Sequence, residues 1–279
     1  MGKDLVSVIV PVYNTGEALG DCLASILHQT YRDIEVVVTD DCSDDAATLS
    51  ILRIFAAKDS RVRVFRLGEN GGAGVARNNS IREARGRYIA FCDSDDAWFP
   101  EKIERQVRFM EERGCRLSYS SYIKCDGEGL GRGIVKCPRR VSFGSMKRDD
   151  KIGCLTAIYD ASSCGKFFFP TLRKRQDWGM FLNLVRACGH GYGIQEPLAY
   201  YRIRKGSVSR SKIKLVMYNL RVYRRVLGFS RVKSCLYFAF LFLPSYYVKR
   251  VKVKIDSIVY ARRRGEGTDR IKRYTEYTD

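Results

Sequence analysis

Four runs of apolar, mostly β-branched residues alternate with helical patterns at the start of the chain, and this alternation restricts the possible folds more than any other feature. The runs lie at residues 5–13, 34–39, 62–67 and 88–92. The helical patterns between them lie at residues 14–29, 44–58 and 74–85. Uninterrupted apolar strands are typical of parallel sheets that helices cover on both faces. The pattern therefore predicts an α/β fold with a doubly wound, mainly parallel sheet.

The following part of the chain is less regular. A helix is predicted at 101–112, another from about Asp177, and a strand at 194–203, whereas residues 116–160 combine glycine-rich turns with short strand-like pieces. With 279 residues, the chain can form one large domain or two smaller ones. The 10 cysteines stand singly and form no CxxC pair, so we expect buried thiols and neither a zinc ribbon nor a disulfide framework.

An acidic loop follows the fourth predicted strand. It contains Asp93, Asp95 and Asp96, and in doubly wound sheets ligands bind beyond the carboxyl ends of the strands. Three clustered carboxylates repel one another unless a cation neutralises them. Mg²⁺ or Mn²⁺ suits an open loop, because these ions take one or two protein carboxylates together with substrate phosphate oxygens. An acidic turn that caps the next helix is the alternative explanation.

A second acidic loop, from Asp40 to Asp45, follows the second strand. Ser43 or Asp44 would serve as the N-cap of the next helix, but a cap accounts for only one of these acidic residues. Two acidic loops at neighbouring strand ends favour a shared nucleotide site. One loop would hold the base or ribose, and the other would hold the metal and the diphosphate.

Four segments, in this order along the chain, carry a resemblance to a known family. They are Val-Ser-Val-Ile-Val-Pro-Val-Tyr-Asn at 6–14, Thr-Asp-Asp-Cys-Ser-Asp-Asp at 39–45, Asn-Gly-Gly-Ala-Gly-Val-Ala-Arg-Asn at 70–78 and Tyr-Ile-Ala-Phe-Cys-Asp-Ser-Asp-Asp at 88–96. The chain resembles the family 2 glycosyltransferases that make bacterial surface polysaccharides. The resemblance implies a type-A glycosyltransferase fold and an inverting transfer from a nucleotide-activated sugar.

The resemblance also implies how the chain is divided and where the nucleoside binds. Residues 1–115 would bind the nucleotide sugar, and residues 116–205 would bind the acceptor in the same catalytic domain. On matching positions, Pro11, Tyr13 and Asp41 would line the nucleoside pocket. The residue after Asp41 is a cysteine where the family usually has glycine.

The loop after the fourth strand would hold the metal, again by resemblance. Asp93 and Asp95 would form the metal-binding pair for Mn²⁺ or Mg²⁺, and Asp96 would lie beside the donor sugar. Arg77 would approach the donor phosphates, and a purely structural ion pair is the alternative for this residue.

An inverting transfer also needs a carboxylate that takes the proton from the acceptor hydroxyl. The family has an acid followed by Asp-Trp or a similar pair at a helix start, and this chain has Gln176-Asp177-Trp178. The resemblance therefore implies Asp177 as the general base, with an N-cap or first-turn helix acid as the alternative. The Gln-x-x-Arg-Trp pattern of processive synthases is missing, which favours the addition of a single sugar.

The C-terminal part is strongly basic. Residues 201–279 carry 21 basic and 5 acidic side chains, a net charge of +16, whereas residues 1–200 have a net charge of +3. Such a one-signed segment usually meets an anionic partner. It begins with Arg202, Arg204 and Lys205, followed by Ser207. These residues either fold over the donor diphosphate or form a solvated basic turn.

An uncharged stretch of 14 residues, Cys235–Val248, lies inside this basic tail. It is shorter than the ~20 residues of a bilayer-spanning helix, so we expect the tail at 206–279 to be a helical extension in the headgroup region of an anionic membrane. Its aromatic residues would then face the acyl chains: Tyr237, Phe238, Phe240, Phe242, Tyr246 and Tyr247. A helical pair packed on the enzyme body is the alternative. Since no apolar leader precedes the first strand, we expect a peripheral protein on the cytoplasmic face of the cell membrane.

Together these features predict a metal-dependent inverting glycosyltransferase that moves one sugar from a UDP-sugar to a hydroxyl of a lipid-linked saccharide. A sugar nucleotidyltransferase also has a doubly wound sheet and carboxylate-held Mg²⁺, but its Gly-rich loop with an activating Arg and Lys is missing near the N-terminus. A nucleic-acid-binding protein would explain the basic tail but not the two acidic loops. We therefore expect no nucleic-acid partner.

Overall fold

The computed structural model describes residues 4–203, 212–264 and 269–272, and their strands form one ten-stranded sheet. The strands are β1 (Val6–Val12), β2 (Ile34–Asp40), β3 (Val62–Arg66), β4 (Tyr88–Phe91), β5 (Ala97–Trp98), β6 (Leu117–Cys125), β7 (Gly131–Val135), β8 (Arg140–Ser142), β9 (Ile158–Asp160) and β10 (His190–Arg202). The helices are α1 (Ala18–Leu27), α2 (Ala46–Lys58), α3 (Ala73–Glu83), α4 (Lys102–Arg113), α5 (Phe143–Met146), α6 (Ala161–Cys164), α7 (Gln176–Cys188), α8 (Lys212–Arg225), α9 (Arg231–Tyr237) and α10 (Leu243–Arg264). A π-helical segment, Phe238–Phe242, joins α9 to α10.

The sheet has the order β3-β2-β1-β4-β9-β6-β10-β5, with β7 beside β6 and β8 beside β10. β3, β2, β1 and β4 are parallel, and so are β6 and β10. β9 runs antiparallel to both β4 and β6 and joins the two parallel groups. The doubly wound α/β fold is confirmed, and its second half is mixed because β5, β7 and β8 also pair in antiparallel orientation.

Helices cover both faces of the first parallel group. Val8 and Val10 of β1 belong to an apolar cluster with α1, α2 and α4, whereas Ile9 belongs to a second cluster with α3 and α7. Every residue of β1 and β2 is buried. Burial on both faces explains why these strands are mostly apolar. The buried polar side chains are hydrogen-bonded in part, as Ser7 Oγ donates to Glu35 Oε1 at 2.6 Å.

The N-cap of α2 is Asp45, so the expectation of Ser43 or Asp44 is wrong. The Asp45 carboxylate accepts a hydrogen bond from the Thr48 N–H at 2.8 Å. Ser43 and Asp44 contact the loop after β1 instead: Ser43 Oγ accepts from the Asn14 N–H at 3.0 Å, and Asp44 Oδ1 accepts from Asn14 Nδ2 at 2.6 Å. The acidic loop therefore caps its helix and also ties together the ends of two neighbouring strands.

The C-terminal helices pack on the body, as the alternative explanation of the tail predicted. The Tyr223 side chain of α8 is fully buried, and its hydroxyl donates to the Lys147 carbonyl at 2.9 Å. α10 lies against β7, where Ser257 Oγ donates to the Ile134 carbonyl at 3.1 Å and accepts from the Ile134 N–H at 3.2 Å. Among the described residues, no helix combines the length and the apolarity needed to cross a bilayer.

The aromatic residues of the uncharged stretch do not share one surface, so that expectation is wrong. Four of the six lie in the core or pack against it: Tyr237, Phe238, Phe242 and Tyr246. Phe240 and Tyr247 are 71% and 63% exposed. A helix turns about 100° per residue, so six aromatic residues spread over positions 237–247 point in several directions and do not share one face.

Candidate active site

The loops after β1 and β2 bring the predicted nucleoside residues to the same edge of the sheet. The Asp41 N–H donates to the Val12 carbonyl at 2.8 Å, which places Asp41 next to the end of β1. Tyr13, just after β1, is half exposed, and Asp41 is buried. Pro11 is buried within β1, where it pairs with Thr39 of β2. Tyr13 therefore presents a ring at the surface, whereas Pro11 and Asp41 lie behind it.

The Asp41 carboxylate organises the glycine loop before α3. Its two oxygens accept hydrogen bonds from the Gly71 and Gly72 N–H groups, each at 2.8 Å. Gly72 has a φ of +88°, a conformation that residues with a Cβ rarely adopt. Cys42 also has a positive φ, 65°. The turn after Asp41 thus has the left-handed geometry that glycine takes easily, although a cysteine occupies the position.

The loop after β4 contains one buried and two partly exposed carboxylates. Asp93 and Asp95 are partly exposed, whereas Asp96 is 1% exposed. Asp96 Oδ1 accepts from the Arg202 N–H at 3.0 Å, and Oδ2 has no hydrogen-bond partner within the described part of the chain. Burial, followed by the charges of Asp95 and Asp93, raises the pKa of Asp96 well above its usual value. The loop therefore has an excess of negative charge that a cation would relieve.

These residues fit a divalent metal ion in an open site. The described residues contain no cluster of three or more histidine, cysteine or acidic side chains arranged to hold a metal. Mg²⁺ and Mn²⁺ sites in nucleotide enzymes use fewer protein ligands, because substrate phosphates and water complete the coordination. Asp93 and Asp95 are the accessible carboxylates of the loop, and the unpartnered oxygen of Asp96 lies behind them.

Arg77 of α3 connects this loop to α7. Its guanidinium is buried, forms an ion pair with Asp93 through Nη2, and lies 5.1 Å from the ring centre of Phe169. With the Gln176 amide oriented so that its oxygen faces the donors, Gln176 accepts from Arg77 Nη1 at 3.1 Å and from the Gly74 N–H at 3.2 Å. The ion pair named as the alternative for Arg77 is therefore present.

Asp177 lies in the first turn of α7. The N-cap position belongs to Arg175, so the N-cap alternative for Asp177 does not hold. Asp177 Oδ1 accepts from the Trp178 N–H at 2.8 Å. Trp178 is fully buried, and its indole N–H donates to the Met146 carbonyl at 2.7 Å, which fixes the start of the helix. Asp177 and Asp93 line the same cavity, which has a volume of about 700 Å³.

Comparison with known proteins identifies the family. Residues 7–173 match the sequence pattern of the family described as "Glycosyl transferase family 2". The chain belongs to this family. It is 38% identical over 237 residues to the putative teichuronic acid biosynthesis glycosyltransferase TuaG of Bacillus subtilis, covering 84% of this chain and 93% of TuaG. It is also 34% identical over 223 residues to WfaP of Escherichia coli, a UDP-Glc:α-D-GlcNAc-diphosphoundecaprenol β-1,3-glucosyltransferase, covering 80% of this chain and 87% of WfaP.

A solved structure agrees with the family 2 assignment in fold. The crystal structure of Staphylococcus aureus TarS residues 1–349 in complex with UDP-GlcNAc superimposes with a TM-score of 0.66. The superposition covers 84% of this chain and 70% of the TarS chain, and the sequences are 23% identical. This likeness supports the type-A fold that the family resemblance implied.

Two acidic residues of the cavity were missed by the sequence interpretation. Asp149 and Asp150 line it together with Lys249 of α10. Lys249 forms an ion pair with Asp149 at 3.0 Å and donates to the Asp150 carbonyl. Burial, followed by the charge of Asp177, raises the pKa of Asp150 to about 8. The charged run at 148–151 was the only available signal, and it follows no recognisable strand end.

Arg202, at the end of β10, supports the β4 loop from behind. Besides the N–H that donates to Asp96, its guanidinium forms an ion pair with Asp21 of α1 at 2.7 Å. The side chain is thus engaged inside the body. The rest of the predicted basic loop lies outside the described residues: Arg204, Lys205 and Ser207.

Proposed function

We propose that this family 2 glycosyltransferase moves one sugar, with inversion, from a UDP-sugar to a hydroxyl of a lipid-linked saccharide in surface-polysaccharide synthesis. The observation that carries the proposal is the shared cavity of Asp93 and Asp177, which combines a candidate metal ligand with a candidate base at the carboxyl edge of the sheet. WfaP, a relative that transfers glucose from UDP-Glc to a diphosphoundecaprenol-linked GlcNAc, supports the same donor and acceptor classes here.

We assign the donor nucleoside to Pro11, Tyr13 and Asp41 in the half formed by residues 1–115. Each Asp41 oxygen that accepts from a glycine N–H keeps a second lone pair, which can accept from an N–H of a base such as uracil. The exposed Tyr13 ring offers a flat surface for stacking. Arg77, through its charge beside Asp93, is assigned to the region of the donor phosphates.

We assign Mn²⁺ or Mg²⁺ to Asp93 and Asp95, with Asp96 beside the donor sugar. A divalent ion bound there would neutralise charge on the diphosphate leaving group. The repulsion among the three carboxylates and the unpartnered oxygen of Asp96 support this assignment. The Arg77 ion pair leaves the second oxygen of Asp93 for the ion.

We assign the general base to Asp177, on the acceptor half formed by residues 116–205. Its carboxylate takes the proton of the acceptor hydroxyl while the hydroxyl oxygen forms a bond to the anomeric carbon. The bond from that carbon to the diphosphate breaks on the opposite face, UDP leaves, and the configuration inverts. The rigid start of α7, anchored by Trp178, supports a fixed position for this carboxylate.

We propose that the tail at 206–279 binds the cytoplasmic face of an anionic membrane peripherally. α10 exposes an apolar stripe at helical spacing, defined by Tyr247, Val248, Val251, Ile255 and Ile258, which are 46–69% exposed. Exposed basic side chains of the same helix border this stripe. An apolar face with basic flanks is typical of helices that lie in the headgroup region of anionic lipid.

Calorimetric titration of UDP tests the donor assignment. UDP should bind in the presence of Mn²⁺, bind weakly without it, and bind more tightly than GDP. A transfer assay with UDP-sugars and a diphosphoprenyl-linked GlcNAc then tests the reaction, and NMR of the new linkage tests inversion. A folded protein that binds neither nucleotide, or a product that retains the donor configuration, would contradict the proposal.

Vesicle flotation tests the membrane assignment. The wild type should float with phosphatidylglycerol vesicles and not with phosphatidylcholine vesicles, because both the stripe and the basic residues contribute. Replacing Val251 and Ile255 with serine should abolish flotation. Val232→Ser on α9 is the matched control, since this residue is 70% exposed and lies outside the stripe. Equal flotation of all variants would exclude the stripe as the contact.

A further inference from the structure

The cavity that contains Asp93 and Asp177 has a second wall formed by the C-terminal helix. α10 contributes Pro244, Val248 and Lys252 to its lining. The volume of about 700 Å³ falls in the range of ~300–1,000 Å³ found for small-molecule sites. The space on the acceptor side therefore accommodates more than the reacting sugar hydroxyl.

Two ion pairs fasten α10 to this cavity. Lys249 pairs with Asp149 at 3.0 Å, and Lys136 of the β7–β8 connection pairs with Asp256 at 3.1 Å. Asp149 is 4% exposed, whereas the Lys249 side chain is 42% exposed, so the carboxylate end of the first pair is the one shielded from water. These contacts make the helix a fixed wall of the site, whatever else its outer face binds.

Other cations in the same lining have no such partner. Within the described parts of the chain, no carboxylate oxygen lies within 4 Å of the ammonium of Lys151 or Lys252, and the Arg175 Nε–H is buried without an acceptor. Burial lowers the pKa of Lys151, the charge of Asp149 offsets part of this effect, and the charges of Lys249, Arg148 and Lys252 lower the pKa further. Lys151 from the loop after α5, Arg175 before α7 and Lys252 of α10 thus line one cavity without an ion pair to any described residue. Asp149 and Asp150 attract Lys151 and Arg175 only at longer range.

Phosphate oxygens are the ligands that best complete this arrangement. Buried N–H groups need an acceptor, and cations that repel one another are stabilised by an anion. Phosphates accept charge-assisted hydrogen bonds from both arginine and lysine. The raised pKa of Asp150, about 8, leaves its carboxyl mostly neutral near pH 7, so it repels an anion only weakly.

We infer that Lys151, Arg175 and Lys252 bind the diphosphate that links the acceptor saccharide to its lipid. This inference rests on the proposed lipid-linked acceptor and adds the place where its anionic group is held. Val248 lines the same cavity and belongs to the exposed apolar stripe of α10. The lipid chain of a bound acceptor therefore has a path from the diphosphate to the stripe proposed to face the membrane.

Direct binding tests the diphosphate site without requiring transfer. Farnesyl diphosphate is titrated into the full chain in the presence of saturating UDP and Mn²⁺, so that the donor site is already filled. We expect binding by the wild type and a weakening of at least about tenfold in Lys151→Gln/Lys252→Gln, because charge-assisted hydrogen bonds are lost. Arg262→Gln, which removes an exposed charge near the end of the same helix, should bind like the wild type.

Three results of this titration would overturn the inference. The first is equal binding by the wild type and the double variant, and the second is no binding by the wild type. The third is inorganic pyrophosphate binding as tightly as farnesyl diphosphate, which would indicate a site for free phosphates and not for the acceptor.

Transfer to two acceptors separates recognition from a structural role. The double variant should raise KM at least about tenfold for GlcNAc diphosphofarnesol and leave KM for octyl α-GlcNAc unchanged, since only the first acceptor carries phosphates. Equal increases for both acceptors would show a structural effect and contradict the inference. Failure of the proposed function has a different signature: the wild type would transfer to neither acceptor while its binding of farnesyl diphosphate remained intact.

Discussion

Asp41 on the proposed donor side and Asp150 on the proposed acceptor side are both buried carboxylates, but their surroundings differ. Asp41 accepts hydrogen bonds from two glycine N–H groups. Asp150 has an oxygen without a hydrogen-bond partner in the described structure and a pKa raised to about 8 by burial and by Asp177. The loops around Asp41 thus satisfy its carboxylate, whereas Asp150 keeps an oxygen that a ligand would satisfy. Asp96 in the loop after β4 resembles Asp150 in this respect.

The largest effect is expected for the candidate base on the acceptor side. Asp177→Asn keeps the size of the side chain but cannot accept a proton, so kcat should fall by roughly 10²–10⁴-fold. The UDP affinity should remain unchanged, because the hydrogen bond of the Asp177 carboxylate goes to the Trp178 N–H and not to the loops assigned to the donor. Transfer kinetics and UDP calorimetry measure both quantities, with exposed Asp33→Asn as the control. Full activity of Asp177→Asn would exclude it as the base.

The next effect concerns the metal ion proposed to bind Asp93 and Asp95. Asp95→Asn should weaken metal-dependent UDP binding by about 10–100-fold, because a neutral amide replaces an anionic ligand. Chelation of the metal with EDTA should have a similar effect on the wild type. Calorimetry with and without Mn²⁺ measures the change. If UDP binding by Asp95→Asn depended on Mn²⁺ as strongly as in the wild type, Asp95 would be excluded as a metal ligand.

Stability as a function of pH tests the unsatisfied state of Asp150. Its folded pKa lies near 8 and above the unfolded value, so the folded protein binds more protons between about pH 4 and 8. Stability should therefore decrease as pH rises through this window and level off above it. Asp150→Asn should remove this contribution and be more stable than the wild type at pH 8 by about 1–3 kcal/mol. Urea unfolding from pH 5 to 9 measures the free energy of unfolding of both proteins. The same slope of this free energy against pH in the wild type and in Asp150→Asn would contradict the assignment.

The smallest effect is expected at the contact that joins the two sides. A Cβ at Gly74 would overlap the side-chain amide of Gln176. Gly74→Ala should therefore displace the Gln176 amide and remove its hydrogen bonds to the residue 74 N–H and to Arg77. The expected cost is about 1 kcal/mol of stability and a several-fold loss of kcat. Gly20→Ala is the matched control, since Gly20 is helical with no atom within 4 Å of an added Cβ. Thermal unfolding that ranks the two variants equally would contradict this role of Gly74.

The donor side was largely predictable because its signals are local in the sequence. β1, β2 and β4 are buried and mostly apolar, and the candidate functional loops follow β2 and β4 directly, as for Asp41 and Asp93. The family resemblance then assigned roles to these positions. The exact cap of α2 was not predictable, since three neighbouring residues can all serve as caps and the contacts of Asn14 decide among them.

The acceptor side was only partly predictable. The Gln176-Asp177-Trp178 pattern at the start of α7 was found, but Asp149, Asp150 and Lys249 were not. These residues follow no regular element that marks them, and Lys249 reaches the cavity from a helix 99 residues beyond Asp150. Charge excess predicted an anionic partner for the tail without indicating that the tail also forms a wall of the cavity.

The sequence by itself determined the α/β class, the order of the first strands and helices, and the acidic loops at the strand ends, because burial on both sheet faces and turn chemistry depend on residues close together in the chain. The tertiary structure decided which face of the tail packs on the body, which aromatic residues remain exposed, and which cations meet across the cavity. These properties depend on contacts between distant segments, where helix rotation and the neighbouring elements select among side chains of similar chemistry.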